Sequence, residues 1–189
     1  MLYDAIAQSW VASRCCLLSS YAKNILSQSI KDEAWRLENK EFINGIVYKT
    51  HDLCPENVDK LKNVKILYVY GDPLDSALSV DKIIEKEGDI WLDEHLFHLK
   101  GKGVRNDLFK KDILNYKKQM TTWKNVKSNN VFIIRYDDIW NQVEEVSRFL
   151  GFKLNISDRR ERVEKNILGL SINQQIFNEL RSLYDSENL

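Results

Sequence analysis

Neither sign of charge is in excess: 28 Lys and Arg stand against 28 Asp and Glu in 189 residues. Such a chain has no global positive field to draw it to nucleic acid or to an acidic membrane, so neither is expected as a partner. Any anion site has to come from basic groups placed locally. Cysteine is also scarce. Cys15, Cys16 and Cys54 have no zinc spacing, and adjacent cysteines bridge each other only with strain. A cytoplasmic location is the expectation. No apolar run reaches the ~20 residues of a membrane-spanning helix, and Asp4 stands where a secretory leader carries positive charge. There is no repeat, no low-complexity tract and no linker rich in Gly, Pro or Ser. A single domain over residues 1–189 is therefore expected.

What is present is a packed core in prospect, with apolar residues making up 43% of the chain. Four segments read as strands: residues 2–8, 45–49, 65–70 and 131–135. The last three are nearly unbroken runs of Val, Ile and Tyr, the pattern of strands covered on both faces in a parallel sheet. Helical patterns lie between them. Phe109, Ile113, Tyr116, Met120 and Trp123 recur at steps of four and three, as do Ile139, Val143, Val146, Phe149 and Leu150 before Gly151. Residues 16–30, 75–86 and 172–184 are also read as helices. Alternating strands and helices imply an open α/β sheet whose ligand sits beyond the carboxyl ends of the strands.

The residues after each strand are thus the candidates for function. Lys49-Thr50-His51 follows the second. Residues two apart on an extended chain point to one side, so Lys49 and His51 can face one ligand. They suit group transfer to an oxygen nucleophile, with His51 as general base and Lys49 beside the developing charge. A solvated strand end with a capping histidine is the simpler alternative. Gly71-Asp72-Pro73-Leu74-Asp75-Ser76-Ala77-Leu78-Ser79 follows the third. There Pro73 can start a helix, Asp72 or Asp75 can cap it, and Ser79 lies one turn inside. Arg135-Tyr136-Asp137-Asp138-Ile139-Trp140 follows the fourth.

K-T-H, then D-P-x-D-x-A-x-S after a strand, then R-Y-D-D-I-W before a helix closing in F-L-G-F: this running order resembles the sulfotransferases that use 3′-phosphoadenosine 5′-phosphosulfate (PAPS). The likeness extends from about Gly45 to Phe152. It implies a P-loop NTPase-like α/β fold, an open and mostly parallel sheet of four to five strands with helices on both faces. It also implies transfer of a sulfuryl group from PAPS to a hydroxyl or amine of a small-molecule or glycan acceptor, without a metal. Carried over by position, His51 matches the family's base and Lys49 the lysine beside the sulfuryl group. Ser79 matches the serine that binds the donor's 3′-phosphate, although a serine facing a neighbouring helix is the simpler reading. Arg159, Arg160, Arg162 and Lys165 sit where the family often has a second basic segment for that phosphate, with a basic solvated helix face as the alternative.

Two departures concern the donor. The family's glycine-bearing phosphosulfate loop corresponds here to Trp10-Val11-Ala12-Ser13-Arg14-Cys15-Cys16-Leu17, and the first glycine of the chain is Gly45. Without glycine, Cβ atoms stand between backbone amides and a phosphate; Ser13, Arg14, Cys15 and Cys16 are the candidates to hold it. Gly71 stands where the family has an arginine on the 3′-phosphate. A catalytically silent relative binding another anion or a protein partner is therefore the alternative reading. A P-loop kinase is a third, and it lacks G-x-x-x-x-G-K-[ST] altogether. Residues 80–128 are expected to form the acceptor side, lined by Trp91, His95, Phe97 and His98, although core packing is the simpler role for Trp91 and Phe97. His95 and His98 are spaced to share a metal, but no third ligand is evident.

Overall fold

The computed structural model describes residues 2–61, 63–159 and 170–185. Its centre is a pair of parallel strands, β3 (Ile66–Tyr70) and β4 (Val131–Arg135), in register from Ile66 opposite Val131 to Tyr70 opposite Arg135. Alternate side chains serve opposite faces. Leu67, Val69, Phe132 and Ile134 join Ile139, Val146 and Leu154 on one side. Ile66, Tyr68 and Val131 join Trp123 on the other. Helix α5 (Tyr116–Lys124) brings Trp123 to that second face, where its ring is 2% exposed and stacks 5.1 Å from Tyr68. Removing so large a buried ring costs about 3–5 kcal/mol.

The parallel α/β architecture is as expected, but the sheet is smaller. Among the described residues there are two two-stranded parallel sheets in place of one with four or five strands. The second pairs β1 (Lys31–Glu33) with β2 (Val47–Lys49), Glu33 opposite Lys49.

Residues 2–8 correct the expectation most. They are not a strand but the start of α1 (Leu2–Arg14). The apolar residues that read as a strand also satisfy a helix with two buried sides. Leu2, Ala5 and Ile6 pack into the β3–β4 cluster, while Ala7, Trp10 and Val11 pack beside β2. Three alanines favour the helix, Asp4 in its first turn and Arg14 in its last complement the dipole. The Tyr3 hydroxyl lies 2.7 Å from the Asp32 carbonyl and 3.1 Å from that of Val47, which ties the start of α1 to the smaller sheet.

The other helices differ mainly at their ends. Helix α2 (Ser20–Ser29) begins only where Ser19 can cap it, accepting from the Ala22 N–H at 3.3 Å. Helix α3 (Pro73–Glu87) starts at Pro73 under the Asp72 cap, and Gly88, at φ 88°, turns the chain into α4 (Asp89–Leu99). The long helix expected from Phe109 to Trp123 is broken. Asp112 accepts from the Tyr116 and Lys117 N–H groups and Asn115 takes φ 57°, so only α5 is helical while Phe109 and Ile113 stay buried on turns. Helix α6 (Val143–Leu150) ends at Gly151, φ 82°, as the sequence implies. Helix α7 (Gln174–Asp185) closes the described chain and packs through Phe177 and Leu180 into the core of α3 and α4. No helix among the described residues is long and apolar enough to cross a membrane.

Candidate functional site

Both small sheets end at one cavity of about 700 Å³. Glu33 closes β1, Lys49 closes β2, and Tyr70 and Gly71 close β3; all four line it. The cavity therefore lies beyond the carboxyl ends of the strands, where open α/β sheets place their ligands.

Local hydrogen bonds fix the K-T-H segment on both sides of His51. The Lys49 carbonyl accepts from the Ala34 N–H at 2.9 Å. Thr50 Oγ1 accepts from the Asp52 N–H at 3.0 Å, and the Asp52 carbonyl accepts from the Trp123 indole at 3.3 Å. Asp52 in turn takes the Leu37 N–H on its carboxylate at 3.0 Å. His51 is held between anchored neighbours, and its ring and Lys49 open into the same space.

Helix α4 supplies the facing wall. Leu92, Leu96 and Leu99 are buried in the core, which turns Trp91, Glu94, His95 and His98 towards the cavity at helical spacing. All three histidines of the chain meet there. The rings of His51 and His95 lie edge to face at 5.2 Å, Trp91 stacks on His95 at 4.6 Å, and Trp35 stacks on His98 at 3.8 Å. Trp91 is half-buried, packed against the core of α3 and α4 on one side and lining the cavity on the other. Phe97 points the other way and is 63% exposed. Neither a core nor a lining residue, it is a correction to both readings. No group of three or more His, Cys, Asp or Glu among the described residues is arranged to hold a metal.

This crowding sets the protonation of the histidines. His51 opens to the cavity, yet its ring is surrounded mostly by protein. Loss of solvent, then the positive charge of Lys49 and of His98, push its pKa down to about 4. His95 is likewise pushed down to about 4, first by burial and then by His51, His98 and Lys49. At neutral pH both are uncharged imidazoles, each with a lone pair free to accept a proton.

The far wall comes from α3, α5 and α7. Ser76, Ser79, Tyr116 and Tyr184 line it. Burial pushes the Tyr116 and Tyr184 hydroxyls well above the usual phenol range, so both stay protonated. Ser79 is exposed at the cavity and its hydroxyl donates to the Asp75 carbonyl at 2.8 Å, within its own helix. A β-carbon at Gly71 would meet only Tyr136 Cβ, at 3.9 Å, so there is open room beside the end of β3. Basic side chains near this wall are engaged by the protein. Arg181 donates from Nε to Asp72 at 2.6 Å, and Lys124 Nζ donates to the Leu183 and Tyr184 carbonyls, 2.9 Å each.

The other residues expected on the donor side are not brought here. Ser13 and Arg14 form the last turn of α1 and Cys15 and Cys16 the turn after it, so no strand-to-helix loop exists at that point. A helix carboxyl end also presents the wrong sign of dipole to a phosphate. Ser13 donates to the Trp10 carbonyl at 2.7 Å, and none of the four lines the cavity. Arg159 is bound to Asp137 at 2.6 Å and lies over the Trp140 ring, also outside it. Arg160, Arg162 and Lys165 fall outside the described residues. Sequence reasoning missed Trp35, Glu33 and Tyr184. Glu33 and Trp35 follow from a strand of three charged residues that carries no apolar signal of its own.

The family model of the sulfotransferase domain matches residues 10–187, nearly the whole chain, and the chain therefore belongs to the sulfotransferase family. No curated protein and no solved structure matches it.

Proposed function

We propose that this member of the sulfotransferase family moves a sulfuryl group from PAPS to a hydroxyl or amine of a small molecule or glycan held in the cavity. The observation that carries the reading is the meeting of Lys49, His51, Ser79 and Gly71, nominated on two separate segments, at one cavity beyond the strand ends. Bound PAPS supplies a sulfuryl group on a bridging oxygen whose leaving partner is a phosphate. His51 accepts the acceptor's proton on a ring nitrogen as the new bond to sulfur forms and the bond to the bridging oxygen breaks. Lys49 stands two residues away on the same side and offsets the charge that collects on that oxygen. The stacked Trp35–His98 and Trp91–His95 pairs give the acceptor flat, mostly apolar walls beside His51.

The residues on the donor side fit PAPS in part. Ser79 offers a hydroxyl, and Gly71 leaves room for a phosphate without charge to hold it. Turnover is therefore limited by donor affinity. The test is release of adenosine 3′,5′-bisphosphate from PAPS across a panel of phenols, amines and sugars. Acceptor-dependent release supports the reading. No release with any acceptor at saturating PAPS, in protein that still binds adenosine 3′,5′-bisphosphate, contradicts it.

A further inference from the structure

The even balance of charge over the whole chain conceals a segment with no acid at all. From residue 5 to residue 31 there is no Asp or Glu, while Arg14, Lys23 and Lys31 lie within it. Lys31 is neutralised by Asp4 at 2.7 Å. The segment is the α1–α2 hairpin, and its apolar side chains are distributed in an unusual way. The side of α2 towards α1 carries Ser27, 1% exposed, and Leu26, packed with Ala7, Val11 and Ile30. The outer side carries Tyr21 and Ile25, one helical turn apart, 76% and 52% exposed. Leu17 and Leu18 in the connecting turn continue that patch, 97% and 42% exposed. Single exposed apolar residues are ordinary, whereas a contiguous group at a hairpin tip marks an interaction surface.

We propose that this tip docks on a lipid bilayer that displays anionic headgroups. Leu17 and Leu18 enter the acyl boundary, Tyr21 lies at headgroup level, and Arg14 meets the lipid phosphates, joined by Lys23, whose Nζ also donates to the Cys16 carbonyl at 3.2 Å. An apolar face rimmed by basic side chains and free of acid is the pattern of helices that lie in a membrane interface, and tyrosine favours that depth. The same charge argues against a second copy of the chain as the occupant. A self-complementary contact around this tip would set Arg14 and Lys23 against their own copies, with no acid between residues 5 and 31 to answer them. None of these residues lines the cavity, so docking leaves it open to substrate. The absence of a global positive field does not oppose this, because a bilayer surface reads charge only within about a Debye length.

The test is co-sedimentation of the full chain with vesicles of phosphatidylcholine alone and of phosphatidylcholine mixed with phosphatidylglycerol. Wild-type protein is expected to sediment with the mixed vesicles, weakly with the neutral ones, and less as salt rises. Leu17→Asp should lower partitioning about tenfold or more, and Arg14→Glu about fivefold. Both sites are exposed, and circular dichroism confirms that each variant is folded. Equal binding to neutral vesicles, no binding to either kind, or an unchanged Leu17→Asp variant would overturn the proposal. So would a concentration-dependent dimer that Leu17→Asp dissociates in protein that ignores vesicles, because a second copy would then be the occupant.

Discussion

The two walls of the cavity are built on different plans. The wall from β2 and α4 holds Lys49, three histidines and Trp91, with Trp35 stacked on them from the end of β1. Its charged lysine forms no ion pair with another side chain among the described residues. The wall from Gly71, α3 and α7 holds hydroxyls, and the cations beside it are already bonded: Arg181 to Asp72, Lys124 to main-chain carbonyls. Reactive groups are thus placed on one side while the means of gripping an anion are few on the other. Chemistry and donor affinity become separable properties, each open to perturbation by itself.

Removing charge from the reactive wall should have the largest effect. Lys49→Ala is expected to lower the transfer rate about 10²–10³-fold, the usual loss when one stabilising charge is withdrawn from a developing anion. Adenosine 3′,5′-bisphosphate affinity should change far less. An equal loss in both would erase the distinction between the walls.

Adding charge to the other wall comes next. There is room at Gly71 for a side chain, so Gly71→Arg should tighten adenosine 3′,5′-bisphosphate roughly tenfold, or ~1.4 kcal/mol. Calorimetry at two ionic strengths checks this, and the gain should shrink with salt. No gain would mean that the 3′-phosphate does not lie beside β3.

A smaller effect concerns pH. His51 and His95 are pushed down to about 4 in the folded protein, against ~6.5 in an unfolded chain. Between those values the unfolded state binds more protons, so stability is full above about pH 6.5 and declines as pH falls towards 4. Urea unfolding at pH 7, 6 and 5 should show a falling midpoint, and the double substitution His51→Gln with His95→Gln should flatten that trend. In the kinetics, kcat/KM should hold steady through neutral pH and fall only near the lowered pKa of His51.

The smallest effect is none. Ser13→Ala and Cys16→Ser should leave adenosine 3′,5′-bisphosphate binding unchanged, because neither residue lines the cavity. A loss of affinity in either would return the phosphate to the turn after α1.

The sequence announces what its local chemistry controls. The strands β3 and β4 are uninterrupted apolar runs, and their parallel pairing is observed as read. Pro73 after Asp72 and Gly151 after Leu150 mark helix ends through backbone preferences that need no tertiary partner. Lys49 and His51 share a face because the strand period is two. What stayed hidden depends on distant contacts. Strand β1 is Lys-Asp-Glu and exists through pairing with Val47–Lys49. Helix α1 shows no single apolar stripe because it buries two sides in different clusters. The helical period through Phe109 and Ile113 is apolar for burial alone, while Asp112 captures the N–H groups that open α5.

One measurement tests the central claim most directly: single-turnover transfer from saturating PAPS by wild type and His51→Ala, with the adenosine 3′,5′-bisphosphate affinity of each protein measured alongside. If His51 is the base on a wall separate from the donor, the variant should lose transfer by about 10²–10⁴-fold and keep its nucleotide affinity. Wild-type transfer by the folded variant, or a parallel loss of nucleotide binding, would contradict the account.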